Sequence, residues 1–587
     1  MQLLKKILVF LLLWAGIALA ATAADPAKVL RVPFEAADSG FDSILSANAY
    51  SGRVAEAIFE RLLTYDYLAR PTKLVPQTAV AMPDIGNAGK TFTFHLRKGI
   101  YFTPDSAFKG KRRELVAADY AYTFKRVLDP RNRSPIQNFL AGKIVGLDAL
   151  ARQAEKTGHF DYDASVAGLQ TPDRYTLRIE LNATDYNFLY MMAYTGLGAV
   201  AREVIEAYPS HTGEHPVGTG AYMLKQYVPG SRIVLLANPD YRGFVWNFQS
   251  GDAADVELIR TMQGKQMPQI SRIEISIILE EQSRWLAFED KQLDLDFLPQ
   301  LAAPKVMDGD HLKPDYARQG LHLFRALEPG ITYTMFNMSD PVVGGYSNEK
   351  IALRRAIAMS YDTQAEIDLI RNGQAIKSEM VIPPGMAGYD PHYRSSITYD
   401  PELANRLLDR FGYRSGPDGY RSMPDGSPLV LQIHREAQVI YVEMAELWKR
   451  GLDRIGIRVE QPVGSFQDDM KAATECKLMI WGAAWLADYP DGENFLQLLY
   501  GPNTHQSNSA CYQSAAFDAL YRKAVALPPG PERQQLYLEM NRQMEGDTPW
   551  LLGVTRVRNW VSQPWLQGFK KHPILYAEWQ YLDIVKH

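Results

Sequence analysis

WGAAWLADYPD, residues 481–491, follows a short apolar run of Leu478, Met479 and Ile480, so it reads as a buried strand leaving a core. Its side chains are aromatic or small, and one carboxylate, Asp488, sits among them. A carboxylate with apolar neighbours is costly unless a positive group meets it. Gly482, Ala483 and Ala484 are small enough to let another backbone lie close. Trp481, Trp485 and Tyr489 can wall the space between. This combination suits a pocket for an extended, amine-bearing chain. The same residues also fit a plain strand end, with Asp488 capping the turn that Tyr489-Pro490-Asp491-Gly492 spells.

Around this stretch the chain has the composition of an ordinary globular protein. Its 587 residues are 46% hydrophobic and 22% charged, enough for a large core and more than one lobe. A net charge of −4 gives no general affinity for nucleic acid, and no nucleic-acid partner is expected. Lys5 and Lys6, an apolar run over 7–18 and small residues at 18–23 read as a secretory signal with its cleavage site. The run is short for a membrane span. Without Lys5 and Lys6 the net charge falls from −4 to −6. No cysteine follows the signal, so a lipid anchor is not expected and the mature protein is placed in the periplasm. The two cysteines, Cys476 and Cys511, lie in the exported part. They are either one disulfide bracketing 481–491 or two separate buried thiols.

The pattern along the chain is mixed. Val29 to Phe34, Thr91 to Arg97 and Tyr175 to Leu181 alternate as strands, and 216–240 reads as a hairpin around Pro229-Gly230. Asn48 to Thr64 has helical spacing. Ala117 to Leu128 is an amphipathic helix with Tyr120, Phe124 and Val127 on one face. From about 330 helices and strands alternate: Asp400-Pro401 starts a helix that Gly412 stops, and Val439 to Arg454 is another. Pro329-Gly330 is a candidate crossing between lobes. Trp550 to Val561 is a candidate return strand.

The W-x-A-D-Y element, with its Pro/Asp turn and Phe495-Leu496, resembles the ligand-binding element of the bacterial family 5 extracellular solute-binding proteins, the oligopeptide- and dipeptide-binding proteins of ABC importers. VAADYAYTFKRVLDP (116–130), PVGTGAYMLKQYVPG (216–230), IALRRAIAMSYD (351–362) and YDPELANRLLDRFGY (399–413) extend the resemblance over nearly the whole mature chain. It implies a mixed α/β, two-lobed periplasmic binding protein of type II-like fold with an extra inserted α+β subdomain. The ranges expected are 1–23 signal peptide, 24–70 first lobe, 71–190 inserted subdomain, 191–329 first lobe, 330–548 second lobe and 549–587 return to the first. It also implies a ligand in the cleft between lobes, with Asp488 pairing with a peptide α-amino group. Trp485 would wall the site, Tyr489 would flank it, and backbone from Gly482 to Ala487 would pair with the ligand as an added strand. Tyr333 and Asn337 would lie on a hinge strand passing the ligand, and Asn48, Ala49 and Tyr50 on its other side. Where oligopeptide binders of the family carry an arginine six residues before the aspartate, this chain has Gly482.

The expected activity is capture of peptides or peptide-like amines and delivery to an inner-membrane ABC permease, by a monomer without catalysis, cofactor or metal. The alternatives are a non-peptide ligand on the same fold (haem, an oligosaccharide, an opine or a nickel complex) and a secreted hydrolase. For the latter, His211, Glu214 and His215 match H-x-x-E-H, but that chemistry needs a helix. Gly213 inside the motif and Pro216 after it spell a loop. Asp468 and Asp469 form the other carboxylate cluster, expected on a solvated helix face.

Overall fold

Apolar residues at every second position of the first strand, Asp25–Phe34, put Leu30, Val32 and Phe34 into a core. In this computed structural model, which describes residues 24–46, 48–299 and 302–585, that strand pairs in parallel with Ile270–Ile277. The sheet continues antiparallel through Arg232–Ala237 and Tyr222–Val228, the hairpin turning at Pro229-Gly230. The expected signal peptide, 1–23, lies outside the described residues. Among the described residues no helix is long and apolar enough to cross a membrane.

Helix Ala49–Ile58 packs Val54, Ala55 and Ile58 into the same core. It is shorter than its spacing suggests: Leu63–Tyr65 leaves it as a strand against Leu74–Pro76. All three residues of that strand are buried, and a short run buried on both sides carries no period that separates helix from strand. A second antiparallel sheet, Asp84–Gly86, Thr91–His95, Thr176–Glu180 and Leu169–Asp173, lies against helix Ala117–Leu128, whose Tyr120, Phe124 and Val127 are fully buried. Asp119 starts that helix by accepting from the Val116 N–H at 2.8 Å, where the helix dipole favours a carboxylate.

The second lobe is a five-stranded mixed sheet in the order Arg458–Glu460, Val430–His434, Ile480–Leu486, Gly330–Phe336, Trp550–Leu552. The first three strands are parallel and the last three antiparallel. Helices Asn348–Ser360, Pro401–Arg410 and Val439–Arg454 cover one face. Phe466–Thr474, Ala515–Val525 and Pro531–Asp547 cover the other. The cores on these two faces are drawn only from residues between Ile331 and Leu552. The WGAAWL stretch is itself strand, because residues 480–486 all pair with 330–336; the strand does not stop at the apolar run 478–480.

Two chain crossings join the lobes. His322–Leu327 pairs antiparallel with Val554–Ser562, and Gly330–Phe336 pairs with Trp550–Leu552. Partner numbers shift by one between the two ladders, from Leu327↔Val557 to Tyr333↔Leu552. An extra residue of this kind twists a ribbon and loosens its pairing. Gly553 sits there, and a Cβ on it would lie 2.5 Å from Thr332 Oγ1. Below it Glu328 accepts from Arg556 and from Arg558 Nε at 2.8 Å.

One motif reading holds and one changes. His211 to His215 is a turn, as expected, with His215 Nε2 2.7 Å from Asp105 Oδ2. Among the described residues no cluster of His, Cys, Asp and Glu is placed to hold a metal. Asp469, expected on a solvated face, is buried and lies 3.2 Å from His434 Nδ1. The reason is that Gly464, with no Cβ, lets the loop close over its carboxylate.

Candidate functional site

A cavity of about 1500 Å³ separates the lobes. Leu486, Ala487 and Asp488 line it from the second lobe, and Asn48, Tyr50, Tyr65, Tyr194 and Tyr576 from the first. Asp488 is delivered there because its strand ends at Leu486. The Ala487 N–H then bonds to Pro329 O at 2.8 Å, pinning the exit of the strand to the lobe crossing.

Asn494 fixes the Asp488 carboxylate. Its Nδ2 donates to Asp488 Oδ2 at 3.0 Å, and its Oδ1 accepts from the Asp488 N–H at 3.0 Å and from Trp485 Nε1 at 3.1 Å. Among the described residues no Lys, Arg or His forms an ion pair with Asp488. Burial pushes its pKa up to about 6; the Asn494 hydrogen bond opposes this, and the nearby charge of Glu493 adds to it. Across the cleft stand three tyrosines. Tyr194 and Tyr576 hydroxyls are 3.4 Å apart, and the Tyr576 ring rests on Gly52, where a Cβ would be 3.0 Å from it. Burial raises the pKa of Tyr65, Tyr194 and Tyr576, and the charge of Asp488 is near enough to add to each. A carboxylate without an ion-pair partner facing neutral hydroxyl groups is electrostatically suited to a cation.

Of the residues expected at the ligand, Asp488, Ala487, Asn48, Ala49 and Tyr50 line the cavity. The Asn48 side chain is partly committed, its Oδ1 capping helix Ala49–Ile58 through the Ser51 N–H at 2.9 Å. Tyr50 carries the Arg53 guanidinium 5.3 Å from its ring. The other five do not line it. Tyr333 points into the second-lobe core and stacks on Trp550 with centroids 3.8 Å apart. Asn337 donates to Cys476 O at 2.7 Å and so anchors the loop of the disulfide, which joins Cys476 and Cys511 with Cα atoms 6.1 Å apart. Tyr489 is buried, its hydroxyl on Glu493 and its ring stacked on Tyr190 at 5.9 Å. Trp485 turns toward the second-lobe core and holds Asn494. Gly482 is exposed, with open space where a Cβ would be.

The backbone of that strand remains available. The bonds Ala487 N–H to Pro329 O and Asn337 N–H to Met479 O place the groups of 481, 483 and 485 toward residues 330–336. Those of Gly482, Ala484 and Leu486 therefore point to the opposite edge. The neighbouring strand Val430–His434 reaches only Ile480 and Trp481, so from Gly482 onward this edge is unpaired by strand. The residues not anticipated, Tyr65, Tyr194 and Tyr576, lie far from 481–491 in the chain. Asn494, six residues after Asp488, was within reach of a reading of the element itself.

The profile of the bacterial extracellular solute-binding proteins, family 5 Middle, matches residues 73–507. The chain is 25% identical over 539 residues to Heme-binding protein A of Haemophilus influenzae, covering 91% of this chain and 88% of that protein. It is 25% identical over 578 residues to the Dipeptide-binding protein of Pseudomonas aeruginosa, covering 95% of each. In fold it is similar to the periplasmic binding protein DppA from Helicobacter pylori in complex with peptide STSA, with a TM-score of 0.71, 20% identity and coverage of 95% and 98%. With the profile matched over most of its length and two lobes closed around one cavity, the chain belongs to the bacterial extracellular solute-binding proteins of family 5.

Proposed function

We propose that this protein is the periplasmic capture component of an ABC importer, taking peptides or peptide-like amines into the interlobe cavity and passing them to an inner-membrane permease. The observation that carries the reading is Asp488: a carboxylate in the cavity, set by Asn494, with no cation among the described residues paired to it. A ligand α-ammonium supplies that cation. The unpaired edge at Gly482, Ala484 and Leu486 supports the same reading, since an extended peptide adds to it through main-chain hydrogen bonds that do not read side chains. We assign 24–70, 191–329 and 549–587 to the first lobe, 71–190 to the inserted subdomain and 330–548 to the second lobe. Capture, closure about the Gly330 and Gly553 crossings, docking and release need no chemical step, and the protein acts as a monomer.

The 25% identity to Heme-binding protein A keeps a second ligand class in play. It is separated from the first by native mass spectrometry of protein purified from periplasm, followed by denaturation and analysis of what it carried. The expected result is a ladder of short peptides that is lost in Asp488→Ala. A single non-peptide species, or peptides retained in Asp488→Ala, overturns the amine anchor.

A further inference from the structure

Phe297, Trp560 and Phe324 sit side by side across three neighbouring strands. Phe297 is the direct partner of Trp560, and Trp560 of Phe324. Directly opposed residues share a face of the sheet, and here that face lines the cavity. The Phe297 and Trp560 rings meet edge-on with centroids 5.8 Å apart. Phe569, buried beneath, holds Phe324 at 4.9 Å and Trp560 at 6.5 Å. Arg558 closes one side, its guanidinium 5.2 Å from the Phe297 ring and its Nε tied to Glu328.

The opposite face of these strands already has its core, where Val561 packs with Trp285 and Phe288. A sheet covered on one face and wet on the other normally alternates apolar with polar residues. This one presents a half-buried aromatic row to the cavity instead. Aromatic rings held at fixed angles by a buried neighbour offer edges and faces to another ring or a bulky aliphatic group. The row and Asp488 line the same cavity from different segments of the chain. The Ala487 N–H bonds to Pro329 O, and Phe324 lies five residues before Pro329 on the chain. At about 3.3 Å per residue that is at most roughly 17 Å of chain, running from one strand across the lobe crossing to the start of the next. A dipeptide extended from Asp488 spans only about 7 Å. The 1500 Å³ of the cavity also exceeds the roughly 300–1,000 Å³ usual for small-molecule sites.

We propose that Phe297, Trp560 and Phe324 form a subsite for a large apolar side chain, aromatic for preference, carried about five residues from the free amino terminus of the ligand. This rests on the amine anchor at Asp488. It makes the protein a selector of short peptides with a bulky residue near position five.

The test is calorimetric titration of the mature protein with Ala-Ala, penta-alanine, Ala-Phe-Ala-Ala-Ala and Ala-Ala-Ala-Ala-Phe. The last is expected to bind at least tenfold more tightly than penta-alanine. That advantage is expected to vanish in Trp560→Ala and Phe324→Ala and to survive in Trp560→Phe, with Ala-Ala, which is too short to reach the row, bound equally by all variants. Thermal unfolding of each variant checks that it is folded, and the peptide series on the unaltered protein needs no variant. Equal binding of penta-alanine and Ala-Ala-Ala-Ala-Phe, or a larger gain from phenylalanine at position two, overturns the subsite. If Asp488→Asn still weakens every peptide in that case, the amine anchor stands without it. If Ala-Ala-Ala-Ala-Phe binds Asp488→Asn undiminished, the anchor fails and the subsite as proposed falls with it.

Discussion

At the scale of single residues the site turns on one carboxylate and the amide that holds it. Removing one partner of a desolvated charge pair costs about 2–5 kcal/mol, so Asp488→Asn is expected to weaken an amine-bearing peptide by roughly 30-fold or more in calorimetry. Binding is also expected to depend on pH. An ammonium favours the ionised carboxylate, so Asp488 releases a proton on binding. With its pKa near 6 in the empty protein, only about one molecule in eleven is ionised at pH 5, and Kd is expected to be about tenfold higher there than at pH 7. For the empty protein the sign is opposite. A pKa raised above the unfolded value of about 3.9 contributes stability below that value, and the contribution is lost as pH rises through about 6. Asn494→Ala removes a hydrogen bond that lowers the Asp488 pKa, so the pH midpoint of binding is expected to move upward. Loss of affinity at an unchanged midpoint would assign Asn494 a packing role only. Asp488 was legible because a carboxylate among apolar residues needs a reason. Tyr65, Tyr194 and Tyr576 were not, because nothing local to any of them points at a carboxylate in the other lobe.

At the scale of elements the strands that cross between lobes are held by close backbone contact. Gly553→Ala places a methyl 2.5 Å from Thr332 Oγ1. It is expected to destabilise the fold by about 1–3 kcal/mol in urea titration, as overpacking does. The disulfide acts on the neighbouring segment. Cys476 and Cys511 are 35 residues apart, and closing a loop of that length is worth about 3–4 kcal/mol in the chain-entropy view. The Cys476→Ser, Cys511→Ser double variant is expected to lose about that much in the same titration. A loss near zero would show that Asn337 and the pairing of Ile480–Leu486 hold the segment without the bond. Most elements followed from their periods: helix Ala117–Leu128 and helix Val439–Arg454 end where their apolar faces end. The extent of strand Ile480–Leu486 was not legible, because its small residues carry no alternation and its order comes from pairing with Gly330–Phe336.

At the scale of the whole molecule the lobes touch away from the hinge. Asn187 donates to Glu493 at 3.3 Å, Tyr190 stacks on Tyr489, and the Glu493 carboxylate is held by the Tyr489 and Tyr521 hydroxyls. Asn187 and Tyr190 belong to the inserted subdomain, whose core is continuous with the first lobe, and the other three belong to the second lobe. These contacts exist only when the lobes are close, so they bias the closed state. Asn187→Ala is expected to enlarge the radius of gyration of the empty protein in small-angle scattering. It is also expected to weaken ligand binding by roughly 2–12-fold, the worth of one hydrogen bond of about 0.5–1.5 kcal/mol. An unchanged radius and affinity would make the contact incidental to closure.

The amino-acid sequence by itself determined the elements with a clear period and the setting of residues 481–491, a carboxylate at Asp488 among aromatic and small residues. Only the tertiary structure decided which faces meet the ligand. Alternation states that neighbouring side chains in a strand point opposite ways, but not which way is inward. That choice is made by pairing between segments hundreds of residues apart. It sends Tyr333 into the core against Trp550, and it sets Phe297, Trp560 and Phe324 in one row on the wall of the cavity.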